Sequence, residues 1–156
     1  MEGCDWSSDV CSSDLQDRDN RTDSAEYLHT VTATIPTPAQ VDDMLFAAKV
    51  VKHCRSNAIV LAHARTLCTA GVGQTSRVDS LRQAIAKAKA FGMPLDGAVM
   101  ASDAFFPFGD CVQIAHEAGI TAVIQPGGSI RDHESVEYCD AHGLAMSMTG
   151  IRHFRH

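Results

Sequence analysis

Three short apolar runs in the last third of the chain, residues 97–101, 121–124 and 144–148, each stop at a segment of different character. The segments are Ser102-Asp103-Ala104-Phe105-Phe106-Pro107-Phe108, Gln125-Pro126-Gly127-Gly128-Ser129 and Gly150-Ile151-Arg152-His153-Phe154-Arg155-His156. Apolar runs of four or five residues bounded by turn formers read as buried strands, and helical spacing fills the gaps between them. A chain that alternates in this way folds as an α/β domain with a mainly parallel sheet flanked by helices. In such open sheets, ligands bind beyond the carboxyl ends of the strands. Three polar, aromatic or glycine-rich segments at three such ends therefore predict one composite pocket.

The same alternation extends upstream. Residues 31–35 alternate as a short strand. Thr37-Pro38-Ala39-Gln40 then opens a helix with a capping box and a proline where the missing N–H costs nothing. Val41, Met44, Leu45, Ala48 and Val51 mark its buried stripe, and it ends near residues 52–55. Strands follow at 58–62 and 66–70. Ser76 caps a second helix, buried along Val78, Leu81, Ile85, Ala88 and Phe91 and stopped by Gly92. Further helices are expected over 110–118 and 132–142.

Residues 1–28 differ from all of this. Ser7-Ser8-Asp9-Val10 nearly repeats as Ser12-Ser13-Asp14-Leu15, and 16–26 is almost wholly polar, with no period that builds a core. The expectation is a disordered segment, with the repeat an artefact of sequence assembly or, on a functional reading, an acidic regulatory arm. The folded domain is then expected over 29–156.

A formal net charge of −6 argues against nucleic acid or an anionic membrane as the main partner. No apolar run approaches the roughly 20 residues of a membrane span, and the start of the chain lacks a secretory pattern. Cys4, Cys11, Cys54, Cys68, Cys111 and Cys139 show neither a Cys-x-x-Cys pair nor zinc spacing. A reduced, cytoplasmic protein without zinc is the expectation.

Several residues can carry chemistry, each beside a plainer role. Lys52-His53 suits proton transfer, but cations at a helix end also simply offset its dipole. Asn57 can both donate to and accept from a substrate amide, or shape a turn. Gly71-Val72-Gly73-Gln74-Thr75-Ser76-Arg77 offers free N–H groups to an anion and an Arg77 fork for an oxygen, or is a surface cap. It is neither a dinucleotide fingerprint nor a P-loop. Phe105, Phe106 and Phe108 around Pro107 can wall a flat heterocycle, bracketed by Asp103 and Asp110, or pack in a core. Arg152, His153, Arg155 and His156 concentrate at the C-terminus, where they can face a phosphate, Arg152 best of them, or belong to a solvated tail.

In order along the chain, Val50-Val51-Lys52-His53, Ser56-Asn57-Ala58-Ile59-Val60, Gly73-Gln74-Thr75-Ser76-Arg77-Val78-Asp79, the phenylalanine segment, the glycine loop and Arg152-His153-Phe154-Arg155-His156 resemble one family. It is the bifunctional purine-biosynthesis enzyme that joins an AICAR (5-aminoimidazole-4-carboxamide ribonucleotide) transformylase to an IMP cyclohydrolase. The resemblance covers 31–156 and only the C-terminal part of the transformylase. It implies cytidine-deaminase-like α/β units without zinc, and formyl transfer from 10-formyltetrahydrofolate to the amine of AICAR within a homodimer. By motif, Asn57 would orient the amine, Arg77 and Asp110 would contact the nucleotide, and Phe105 would pack by its base. Pro107 and Phe108 would line the folate side and Arg152 would bind the phosphate. Ser56, Asp103 and His156 would fall near a potassium ion.

The family's catalytic Lys-His pair belongs to a preceding half that is expected to be missing, along with the cyclohydrolase domain, so Lys52-His53 does not inherit that role. Gly109 replaces the arginine common after the phenylalanines. The resemblance thus implies an enzyme fragment inactive alone. A stand-alone nucleotide-binding module and one half of a split enzyme are the alternatives.

Overall fold

The computed structural model describes residues 17–156, so the repeat and the rest of 1–16 lie outside the described residues. Among the described residues, six strands form one sheet in the order β1-β6-β5-β4-β2-β3. These are β1 (His29–Thr30), β2 (Ile59–His63), β3 (Thr66–Gly71), β4 (Val99–Ser102), β5 (Ala122–Gln125) and β6 (Ala145–Met148). Helices α1 (Pro38–Lys52), α2 (Arg77–Ala90), α3 (Asp110–Glu117) and α4 (Asp132–His142) flank it. The neighbours β4, β5 and β6 are parallel, while β2 runs against both β3 and β4. β3 therefore points the same way as β4, β5 and β6, and the α/β class expected from the sequence stands.

The period-two pattern of the strands sorts their side chains into two cores. Ala58, Val60, Ala62, Val99, Ala101, Ala122 and Ile124 meet Met44, Ala47, Ala48 and Val51 of α1. Ile59, Leu61, Met100, Val123 and Met146 face α2, α3 and α4 through Leu81, Ile85, Val112, Ala115 and Cys139. The capping box of α1 forms as expected: Gln40 N–H donates to Thr37 Oγ1, and Thr37 N–H donates to Gln40 Oε1.

Four expectations need correction. Residues 31–35 are not a strand. After β1 pairs with β6, the Thr32 hydroxyl donates to Thr34 O and accepts Met146 N–H, a local turn that replaces the ladder and leaves Ile35 exposed. Leu45 is only half-buried, because the buried face of α1 turns to include Asp43. Both Asp43 carboxylate oxygens accept the N–H groups of Ala64 and Arg65, which hold left-handed φ of 50° and 55° in the β2–β3 turn. Phe91 does not continue the α2 stripe, since it caps the helix and is 77% exposed. Finally, residues 17–28 are not without structure: they include a short 3₁₀ turn over Ala25–Tyr27 and bond to the C-terminal tail and to α1.

β3 ends where α2 crosses it most closely. A Cβ added at Gly71 would lie 1.7 Å from the Ser80 carbonyl oxygen. Gly71→Ala must therefore force α2 off the sheet, and we expect a loss of about 3 kcal/mol or more in urea unfolding. An unchanged midpoint would mean that this close approach does not exist.

Candidate functional site

The reversal of β2 gathers the site. Its first residue, Ile59, pairs with Gly71 at the end of β3 and with Ser102 at the end of β4. The segments that lead into β2 and out of β3, β4, β5 and β6 therefore share one edge of the sheet. Asn57 and Gln74 bond through their backbones at 3.2 and 3.4 Å, and the buried Ser80 hydroxyl donates to Asn57 O at 2.7 Å. The Ser56–Asn57 peptide is cis. Asp103 N–H donates to Ala58 O, and His153 N–H donates to Asp103 O at 2.9 Å. Ser56 and Arg155 bond twice, Ser56 N–H to Arg155 O at 2.7 Å and Arg155 N–H to Ser56 Oγ at 2.9 Å. Ser56, Asn57, Arg77 and Asp103 thus form one cluster with the C-terminal tail.

At its centre, Arg77 Nη2 donates to Asp103 Oδ1 at 3.1 Å, with side chains 11% and 0% exposed. Burying such a pair is costly unless the remaining polar atoms are satisfied. Here Arg77 Nε and Asp103 Oδ2 are buried without a hydrogen-bond partner. One free donor and one free acceptor at a strand-end edge are what a polar ligand would complete. The free Asp103 oxygen is also of the kind that a hard cation such as potassium takes as a ligand.

The phenylalanine segment divides. Phe106 is fully buried, and its N–H donates to Gln125 Oε1 at 3.3 Å, so it is core. Phe105, Pro107 and Phe108 instead line a cavity of about 460 Å³ with Gly128, Ser129, Ile130 and Arg131. Arg131 stacks over Phe108 at 5.0 Å. Asp132 Oδ2 accepts the N–H groups of Gly128 and Ser129 and so shapes the glycine loop.

Other expected residues have further partners. Asp110 opens α3, with its carboxylate turned onto Cys111 N–H at 2.9 Å. Arg152 is exposed, with its guanidinium 4.8 Å from the Phe154 ring centre, and the His156 ring stacks on the same phenylalanine. Lys52 donates to Arg21 O and the Thr22 hydroxyl, binding the N-terminal segment. Burial pushes the Cys111 and Cys139 thiols up to about 12, so both stay protonated.

His153, read from the sequence as one of the tail cations that could face a phosphate, is instead turned inward between two aspartates that sequence reasoning missed. It is 2% exposed, with Nδ1 on Asp19 and Nε2 2.8 Å from Asp23. Its only sequence signal was a histidine alternating with arginines in a tail, beside carboxylates assigned to a structureless segment. Burial works against its charge, but the hydrogen bonds to Asp23 and Asp19 together with the charges of the two carboxylates outweigh burial and raise its pKa. Burial likewise opposes ionisation of Asp19, and the bond to His153, the histidine's charge, the Arg21 N–H and the Lys52 charge together outweigh it and lower the pKa. A raised histidine stabilises the fold below its unfolded pKa and loses that contribution as pH rises through the folded value. A lowered aspartate does so above its unfolded pKa and loses it as pH falls. The bridge therefore contributes most between these limits. By NMR, the His153 ring should titrate above the ordinary value of about 6.5. A midpoint at or below that would show the bridge to be open.

A model of the AICARFT/IMPCHase bienzyme family matches residues 11–87. A bifunctional purine biosynthesis protein PurH from Bacteroides thetaiotaomicron is 61% identical over 142 residues, which is 91% of this chain and 28% of that protein. The protein of the same name from Aquifex aeolicus is 56% identical over the same share of each chain. The chain belongs to the AICARFT/IMPCHase bienzyme family. It spans 28% of the length of these curated relatives. A solved diaminohydroxyphosphoribosylaminopyrimidine deaminase/5-amino-6-(5-phosphoribosylamino)uracil reductase from Thermotoga maritima is similar over 66% of this chain and 33% of its own, at a TM-score of 0.47 and 20% identity. No helix among the described residues is long and apolar enough to cross a membrane.

Proposed function

We propose that the chain supplies the C-terminal part of an AICAR transformylase, which moves a formyl group from 10-formyltetrahydrofolate to the 5-amine of AICAR in purine (IMP) synthesis. The observation that carries this reading is the Arg77–Asp103 pair, buried with a free donor and a free acceptor at the strand-end edge of a chain of this family.

In the reaction the amine nitrogen bonds to the formyl carbon and that carbon's bond to folate N10 breaks. One amine proton leaves, and N10 gains one. The amine is a weak nucleophile, so rate comes from orienting both substrates and stabilising the oxyanion on the formyl carbon. Asn57 orients the amine with its side-chain amide, while its main chain is pinned by Gln74 and Ser80. Arg77 and Asp110 hold the nucleotide, Phe105 packs by its base, and Arg152 takes its phosphate. Pro107 and Phe108 form the folate wall of the neighbouring cavity. When bound, potassium would supply a fixed positive charge that orders the oxygens around it, with Ser56, Asp103 and His156 as its holders.

The complete enzyme works as a cytoplasmic homodimer in which the remaining part of the transformylase supplies proton transfer. The chain alone is expected to transfer no formyl group in a product-absorbance assay, and sustained turnover by it would overturn the fragment reading. Combined with the remaining portion of the Bacteroides relative, it should restore transfer. There, Asn57→Ala should lower turnover about 100-fold, and Arg77→Ala should raise the KM for AICAR about tenfold or more. Failure of a folded, reconstituted enzyme to form product would overturn the transformylase reading itself.

A further inference from the structure

Burial alternates along the C-terminal tail: Ile151 is 3% exposed, Arg152 is exposed and His153 is 2% exposed. The chain therefore holds the two neighbours of Arg152 inward and presents Arg152 outward. Ile151 is buried, with its main chain bonded to the Thr149 hydroxyl, and His153 is held by polar bonds in three directions. Its Nδ1 meets Asp19, its Nε2 meets Asp23, and its backbone N–H donates to the oxygen of Asp103, the residue that pairs with Arg77. Both ring neighbours are carboxylates, so both ring nitrogens donate, and a ring fixed at both ends has one orientation. The segment that carries Asp19 and Asp23 is itself tied to the end of α1 by Lys52, through Arg21 O and the Thr22 hydroxyl. A continuous set of polar bonds thus runs from α1 through residues 19–23 to the residue next to Arg152.

We propose that Asp19, His153 and Asp23 form a positioning bridge that sets Arg152 toward the 5′-phosphate of a bound ribonucleotide. The inference rests on the nucleotide reading above. His153 touches no substrate in this role and acts only through Arg152. The bridge makes residues 19–23 part of the site.

The test compares binding of AICAR with binding of its 5′-dephosphorylated nucleoside to the chain, by calorimetry. The wild-type chain should prefer the nucleotide, and Arg152→Ala should remove that preference. His153→Ala should reduce the preference about tenfold with nucleoside affinity unchanged, and should change nothing further in the Arg152→Ala background. Asp19→Ala, at the more exposed end of the bridge, should act in the same direction and serves if His153→Ala does not fold. General loosening would weaken both ligands alike and would overturn the bridge as a positioning device. So would loss of the preference in Arg152→Ala but not in His153→Ala or Asp19→Ala, which leaves the nucleotide reading intact. An undiminished preference in Arg152→Ala, or no binding of AICAR by the wild-type chain, would overturn the reading of this tail as a phosphate site and the bridge with it.

Discussion

β2 runs against both of its neighbours, and that reversal brings its amino end level with the carboxyl ends of β3 and β4. Without it, Asn57 would sit at the opposite edge of the sheet from Arg77 and Asp103. The reversal depends on a two-residue turn whose residues, Ala64 and Arg65, both hold left-handed φ without the help of glycine. Such turns favour glycine or asparagine. The buried Asp43 carboxylate offsets that preference by accepting both turn N–H groups from the facing helix.

The site edge carries a second cost in buried, incompletely satisfied charge. Arg77 and Asp103 are paired but leave one buried atom each without a partner. A fold that sought stability alone would fill this place with hydrocarbon. The pair is flanked by the Ser56–Arg155 bonds and by His153, which joins the two ends of the described chain. The termini therefore help to build the site they border.

Much of the scaffold was legible in the residues. Helix α1 was marked by Thr37, Pro38 and Gln40, whose capping bonds are local and independent of the rest of the fold. The buried strands were visible as apolar runs, because both sheet faces are covered and no polar side alternates. Several errors fell where contacts that the local pattern does not show overrode it. The alternation of 31–35 lost to the Thr32 turn, and the α1 stripe turned so that Asp43 could reach the hairpin. The polar composition of 17–28 hid residues whose partners lie more than a hundred positions away.

Of the candidate site, the residue types could be named from the sequence, since a phenylalanine-proline wall, a glycine loop and a cationic tail are local chemistry. The sequence by itself determined the helices, the buried strands and the segments at the strand ends, because propensity, capping and apolar period act over a few residues. Only the tertiary structure decided which of those segments share an edge, that Phe106 is core while Phe105 and Phe108 line a cavity, and that His153 bridges two aspartates. Strand order and direction, and the pairing of buried charges, depend on contacts between distant parts of the chain, which no local pattern encodes.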